Sequence, residues 1–281
     1  IERNKFKYEA YRVRGFARMR LRLDSAAIED FNKGLAYTPD DKYFLYYKGL
    51  AQASLGDFTH ADSTFSHLLN IYPRFEDGYG SRAQAHLMAA DTVAALKDIS
   101  EALRINPKML PARLMRADIS LHRRQWAAAA ADLDTVIKLS PADVSLYINR
   151  AYARYNADDW PGAMADYNYA LDLEPQNYAA IYNRALLRYQ IQDLSGARND
   201  FSKVLEHDPD DFPARYNRGL INTDLGNHQA ALADFRLIAN KYPRFYPVYY
   251  AMSRVYQNMG NAKLAADYFF KANDLISRYT D

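Results

Sequence analysis

Residues 149–175 read NRAYARYNADDWPGAMADYNYALDLEP, and residues 183–209 read NRALLRYQIQDLSGARNDFSKVLEHDP. The second stretch begins 34 residues after the first. Both open on Asn-Arg-Ala, carry a central alanine (Ala163, Ala197), then an aspartate followed by an aromatic residue (Asp166-Tyr167, Asp200-Phe201), and close on proline (Pro175, Pro209). Outward from this pair, prolines stand at Pro39, Pro73, Pro107, Pro141, Pro175, Pro209 and Pro243, each 34 residues after the last. Self-similarity at one fixed period marks a repeat architecture, in which each unit buries its apolar face only by stacking on its neighbours.

With the proline at position 32 of a 34-residue unit, eight units follow: 8–41, 42–75, 76–109, 110–143, 144–177, 178–211, 212–245 and 246–279. Position 20 is alanine in every unit, from Ala27 to Ala265. Position 8 is small throughout: Gly15, Gly49, Ala83, Ala117, Ala151, Ala185, Gly219 and Ser253. Position 24 is large and mostly apolar, as in Phe31, Ile99, Tyr167 and Phe235. Apolar residues at positions 20, 24, 27 and 28 recur at helical spacing, and positions 8 and 10 give a shorter stripe on an earlier helix. Turn pairs such as Gly56-Asp57, Gly226-Asn227 and Gly260-Asn261 separate the two helices, and the proline at position 32 ends the second. Small residues at positions 8 and 20 let the helices of one hairpin approach closely.

The period, the small residue at 8, the alanine at 20, the large residue at 24 and the proline at 32 together resemble the tetratricopeptide repeat family over residues 8–279. The resemblance implies an all-α fold, a right-handed α-solenoid superhelix of about sixteen antiparallel helices in eight helix-turn-helix hairpins. Residues 1–281 are then expected to form one superhelical domain, read as a segment of a longer protein because the chain starts at Ile1 and its last helix leaves Phe270 and Leu275 without a following hairpin. Two departures from the family pattern suggest looser packing between some hairpins. Position 4 is arginine in two units (Arg113, Arg215), and position 11 is polar in seven, with Tyr256 the exception.

Composition narrows the function. The net charge of +2 is too small to point to nucleic acid or an anionic membrane, and no apolar run is long enough to span a bilayer. With no cysteine there is no disulfide, thiolate metal site or thiol nucleophile, and the chain is equally compatible with exported or periplasmic and with cytoplasmic locations. The six histidines lack metal-site spacing, and the carboxylate pairs Asp158-Asp159 and Asp210-Asp211 fall at helix starts. No acid–base, nucleophile, phosphate-loop or metal constellation appears, so no enzyme activity and no cofactor are expected.

A polar pair is written into the repeat. Position 7 is basic in seven units (Arg14, Lys48, Arg82, Arg116, Arg150, Arg184, Arg218), and position 23 is aspartate in six (Asp30, Asp98, Asp132, Asp166, Asp200, Asp234). The exceptions coincide: Lys48 occurs with Thr64, and Met252 with Tyr268. That matching favours an ion pair between the two helices of each hairpin over a row of arginines held ready for an acidic ligand.

The resemblance places positions 2, 5, 6, 9, 12 and 13 of the first helices along a concave groove. Those columns carry Asn149, Asn183 and Asn217 in three consecutive units, with Tyr152, Tyr155, Tyr182, Tyr189, Tyr216 and Tyr250 around them. Tyr46 and Tyr47 add to the aromatic surface, and the sparse charges include Arg12, Asp224 and Arg254. An asparagine amide both donates to and accepts from a peptide backbone, and tyrosine offers a large apolar face with a polar tip. The expected function is a non-catalytic scaffold that holds a protein or extended peptide along this groove. The alternative is a structural segment that packs through its uncapped ends, with end-to-end self-association.

Overall fold

The computed structural model describes the backbone of residues 2–280 and the side chains of residues 8–277. The described residues hold sixteen helices and no strand, and none of the helices is long and apolar enough to cross a membrane. The chain divides into two compact units, residues 1–141 and 142–281. The first holds α1 (Glu2–Arg20), α2 (Asp24–Leu35), α3 (Lys42–Ser54), α4 (Phe58–Ile71), α5 (Glu76–Met88), α6 (Thr92–Ile105), α7 (Leu110–His122) and α8 (Trp126–Leu139). The second holds α9 (Val144–Asn156), α10 (Trp160–Leu173), α11 (Tyr178–Gln190), α12 (Leu194–His207), α13 (Phe212–Asp224), α14 (His228–Lys241), α15 (Tyr246–Asn258) and α16 (Ala262–Thr280). Odd and even helices pair as hairpins, and inside each unit an even helix also packs on the next odd one. Each unit is an α-solenoid of four hairpins.

The hairpin follows from its local chemistry. Asp57, Asp91, Asp159 and Asp193 stand just before α4, α6, α10 and α12, and each side chain accepts from the backbone N–H three residues on. Asp211 caps α13 in the same way, while Asp210 pairs with Lys241 at 2.6 Å, so in each carboxylate pair of the sequence one member caps a helix and the other lies in the turn before it. The turn between the helices always passes through a left-handed residue at position 15. Glycine fills it at Gly56, Gly226 and Gly260, but Arg22, Ala90, Arg124, Asp158 and Gln192 hold the same conformation at φ between 57° and 65°. The backbone of the hairpin thus imposes this φ whether or not the residue suits it.

Packing explains the columns. Phe31, Phe65, Phe201 and Phe235 are fully buried, each contributing about 1.5–3 kcal/mol. A Cβ added at Gly15, Gly49 or Gly219 would lie 2.4, 2.7 or 2.5 Å from the facing ring of Phe31, Phe65 or Phe235. The glycines at position 8 are therefore cut to fit the ring at position 24. The alanines at position 20 from Ala27 to Ala231 are completely buried at the same crossings. At the C-terminal end Phe270 is 68% exposed, whereas Leu275 packs against the α15–α16 core and is not left open as expected. The side chains of residues 1–7 lie outside those described.

The position 7–position 23 pair forms in all six hairpins that carry both residues. Nε and Nη2 of Arg14, Arg82, Arg116, Arg150, Arg184 and Arg218 each grip the two oxygens of the partner aspartate at 2.5–2.9 Å. All six aspartates are buried. Each also meets a second basic group. Arg18, Arg154 and Arg188, at position 11, reach Asp30, Asp166 and Asp200 at 2.7–2.9 Å, and the imidazole of His86 lies 3.6 Å from Asp98. Where position 11 is Ser120 or Asn222, Arg113 and Arg215 at position 4 approach Asp132 and Asp234 instead, at 2.7 and 3.4 Å. The two departures read as loose packing are thus one substitution: the second cation moves from position 11 to position 4. The position-7 arginines also tie hairpins together, since Arg82, Arg184 and Arg218 donate to Ser66, Asn168 and Ser202 on the preceding second helix. Lys48 has no carboxylate, and burial pushes its ammonium pKa down. In the last hairpin Tyr268 stacks on Tyr256 at 5.4 Å, an aromatic replacement for the ion pair.

The left-handed turn gives a stability test. Ala90 is exposed at φ 61°, where a side chain costs about 1–2 kcal/mol and glycine returns about 0.5–1 kcal/mol of that in chain entropy. Ala90→Gly is expected to raise stability by about 0.5–1 kcal/mol in urea denaturation; a lower midpoint would contradict the conformation assigned to position 15.

Candidate functional site

The three asparagines and the six tyrosines around them all fall on the first helices of the second unit. α9 carries Asn149, Tyr152 and Tyr155, α11 carries Tyr182, Asn183 and Tyr189, α13 carries Tyr216 and Asn217, and α15 carries Tyr250. Neighbouring first helices are linked through this face. Asn217 Nδ2 donates to Tyr182 Oη at 3.4 Å, and the Tyr189 hydroxyl donates to Asp224 Oδ2 at 2.8 Å. Asp224 Oδ1 also accepts from Arg254 Nη2 at 2.8 Å. A chain of polar contacts therefore runs from α11 through α13 to α15, and it ties up two of the few charges on the face.

The predicted residues play unequal parts. The side-chain amides of Asn149 and Asn183 make no hydrogen bond among the described residues, so their donors and acceptors are available. Asn217 is partly committed to Tyr182. Tyr152 is exposed and Tyr155 half-buried, both near enough to the buried Tyr167 to raise its phenol pKa, on top of the larger effect of burial. Tyr216 is more wall than contact surface: it packs on Phe212, Phe235 and Phe245, and burial raises its pKa. Tyr250 turns to the second helix of its own hairpin, donating to Asn273 Oδ1 at 2.6 Å with its ring edge-on to Phe269. The arginines of positions 7, 4 and 11 are held by the aspartates and add little free positive charge. What remains is a hydrogen-bonding and aromatic surface.

The first unit has a different surface, which the sequence columns did not reveal. Position 5, tyrosine at Tyr46, is Gly80 one hairpin later, and a cleft of about 370 Å³ opens there. Tyr46, Leu50, Met88, Met109 and Met115 line it, with Asp77 among its polar residues. A Cβ at Gly80 would lie 2.6 Å from Cε of Met109, so the glycine also makes room for that methionine. Methionines adapt their shape to irregular apolar partners. The available signal was a glycine in a tyrosine column.

Sequence models described as tetratricopeptide repeat match residues 114–178, 150–215 and 246–278. No curated protein sequence matches the chain. Among solved structures, a tetratricopeptide repeat protein from Parabacteroides merdae is 17% identical, with a TM-score of 0.57, covering 89% of this chain and 98% of its own. YrrB, described as a TPR protein with an unusual peptide-binding site, is 18% identical, with a TM-score of 0.55, covering 63% and 91%. A structure of Naa15/Naa10 bound to HypK-THB is 12% identical, with a TM-score of 0.63, covering 89% of this chain and 39% of the matched one. At these identities the likeness is one of fold.

The α11–α13 contact has a measurable signature. Burial raises the Tyr189 phenol pKa above its ordinary value of 10.0, and the hydrogen bond to Asp224 with its negative charge raises it further. In NMR titration of ¹³Cζ-labelled tyrosine, Tyr189 is expected to ionise above 10.0, and Asp224→Asn to bring its pKa down. An unchanged titration in the variant would remove the contact.

Proposed function

Because the chain belongs to the tetratricopeptide repeat family, we propose that it is a non-catalytic scaffold that binds an extended protein segment along the first-helix face of its second unit. The observation that carries this reading is the pair of uncommitted amides, Asn149 and Asn183, on consecutive first helices beside exposed Tyr152. Each amide can accept from a backbone N–H and donate to a backbone C=O of a ligand at once. Tyrosines alongside supply contact area at low entropic cost. The unusual peptide-binding site of YrrB is consistent with this use of the fold.

The charge pattern narrows the ligand. Arg150, Arg154, Arg184, Arg188, Arg215 and Arg218 are held against Asp166, Asp200 and Asp234, and Arg254 against Asp224. A site for an acidic tail needs free cations, so a neutral segment read mainly through its backbone fits better. Nucleic acid is disfavoured for the same reason. The methionine-lined cleft of the first unit suits an apolar side chain of a partner.

Peptides selected from a random library on the wild-type chain test this reading. They are expected to bind a variant with Asn149→Ala, Asn183→Ala and Asn217→Ala at least about tenfold more weakly in fluorescence anisotropy, roughly the loss of one to two hydrogen bonds. Equal affinity for both proteins would move the site off this face.

A further inference from the structure

In the second unit, the first two hairpins fill position 11 with Arg154 and Arg188, whose guanidinium groups lie on Asp166 and Asp200. The third hairpin has Asn222 there, too short to reach, and Asp234 takes its second cation from Arg215. The vacated space is an open cleft of about 810 Å³ between α12, α13 and α14. It shares no residue with the asparagine–tyrosine face.

The groups around this cleft are unusually short of partners. Asn222 is only 4% exposed, yet its side-chain amide makes no hydrogen bond. The Nδ1 of His228 is buried and likewise has no partner. The Nδ1 of His228 is shut off from solvent, whereas the Asn222 amide, on an otherwise buried side chain that lines the cleft, is left unpaired at its surface and points to something that enters it. The Arg198 guanidinium, also on the cleft, makes no ion pair or hydrogen bond, and it stands where the other hairpins of this unit carry Met164, Leu232 and Ala266.

The missing groups would be anionic. α10 and α12 begin with Asp159 and Asp193, whose carboxylates cap the first turn, whereas α14 begins with Asn227, whose side chain makes no cap bond. The start of α14 therefore presents its partial positive charge and its Gln229 and Ala230 edge to the cleft without the protein's own carboxylate in front. Asp234 is the one acidic residue in the lining, and both its oxygens are occupied: Oδ1 by Arg218 Nη2 at 2.7 Å and Arg215 Nη1 at 3.4 Å, Oδ2 by Arg218 Nε at 2.9 Å. Two guanidinium groups thus already answer the one carboxylate of the lining, and Arg198 is a further cation on the cleft.

We propose that this cleft is a binding site for a phosphate group, with Arg198 as its free cation, the Asn222 amide as a hydrogen-bonding group, and the first turn of α14 as its floor. A phosphate matches the site because it brings several acceptor oxygens and a negative charge to groups that are chiefly donors. The same chemistry arises from free inorganic phosphate or from a phosphorylated side chain.

The test is titration of the ¹⁵N-labelled chain with inorganic phosphate, with O-phosphoserine, and with chloride at matched ionic strength. Saturable shifts are expected in the amides of Gly226, Gln229 and Ala230 and in the Asn222 side chain, with at least about tenfold weaker binding in Arg198→Ala and in Asn222→Leu. Exposed Arg74→Ala, in the other unit, is expected to bind as the wild type does. Tighter binding of O-phosphoserine than of phosphate would identify a phosphorylated segment as the source, and the reverse order the free ion. Shifts no larger than those with chloride, or undiminished binding by Arg198→Ala, would overturn the proposal.

Discussion

A carboxylate cannot sit between packed helices unless its charge is answered, and six hairpins of this chain place one there. Two basic groups meet each buried aspartate of position 23, one always from position 7 and gripping both oxygens. Bidentate pairing fixes distance and angle together, so it sets how far along each other the two helices of a hairpin lie. That register is what brings Gly15 against Phe31 and Gly219 against Phe235 with no space for a methyl group. Through Ser66, Asn168 and Ser202 the same arginines join one hairpin to the one before it. Polar pairing and apolar packing are therefore two results of a single geometry.

The cation network also shapes the surfaces available for binding. Arginines that look like a ligand-binding row are consumed by the interior, which leaves the first-helix face of the second unit to amides and phenols. The second cation varies in origin, and the variation has consequences. Where it comes from position 11, as with Arg154 and Arg188, the space beside the aspartate is filled. Where it comes from position 4, as with Arg215, the space beside Asn222 stays open and Arg198 faces it. Family membership alone does not choose among ligands, because one fold serves many sites; the local bookkeeping of charges and hydrogen bonds carries the functional reading.

Much of this was legible in the sequence because repetition multiplies weak signals. The recurrence of Pro, Ala and a small residue at fixed spacing gave the helices, and the coincidence of Lys48 with Thr64 and of Met252 with Tyr268 gave the ion pair. The second cation was not legible. Arg113 and Arg215 lie only seven residues before position 11 on the same helix, but nothing in that spacing shows that either position reaches the aspartate of the second helix. Position 15 was half legible: three glycines marked the turn, but nothing in Arg22, Ala90 or Gln192 announces a left-handed backbone that the hairpin imposes. On the candidate site, the columns assigned residues to first helices, yet side-chain direction escaped them. Tyr250 turns to Asn273, Tyr216 serves as wall, and Tyr189 is bound to Asp224. A period identifies which residues share a position, not which of them their neighbours have already engaged.

The dependence of the fold on the buried carboxylate is most directly tested by a double-mutant cycle on Arg184 and Asp200, whose side chains are 14% and 2% exposed. Asp200→Leu strands both Arg184 and Arg188, so it is expected to cost about 3–5 kcal/mol in equilibrium unfolding, and Arg184→Met, which leaves Arg188 on the aspartate, less. The double variant is expected to be clearly more stable than the sum of the two losses allows, since an apolar pair then replaces an ionic one. Small and additive losses would show that the pair merely decorates a hairpin set by apolar packing, and would contradict the account.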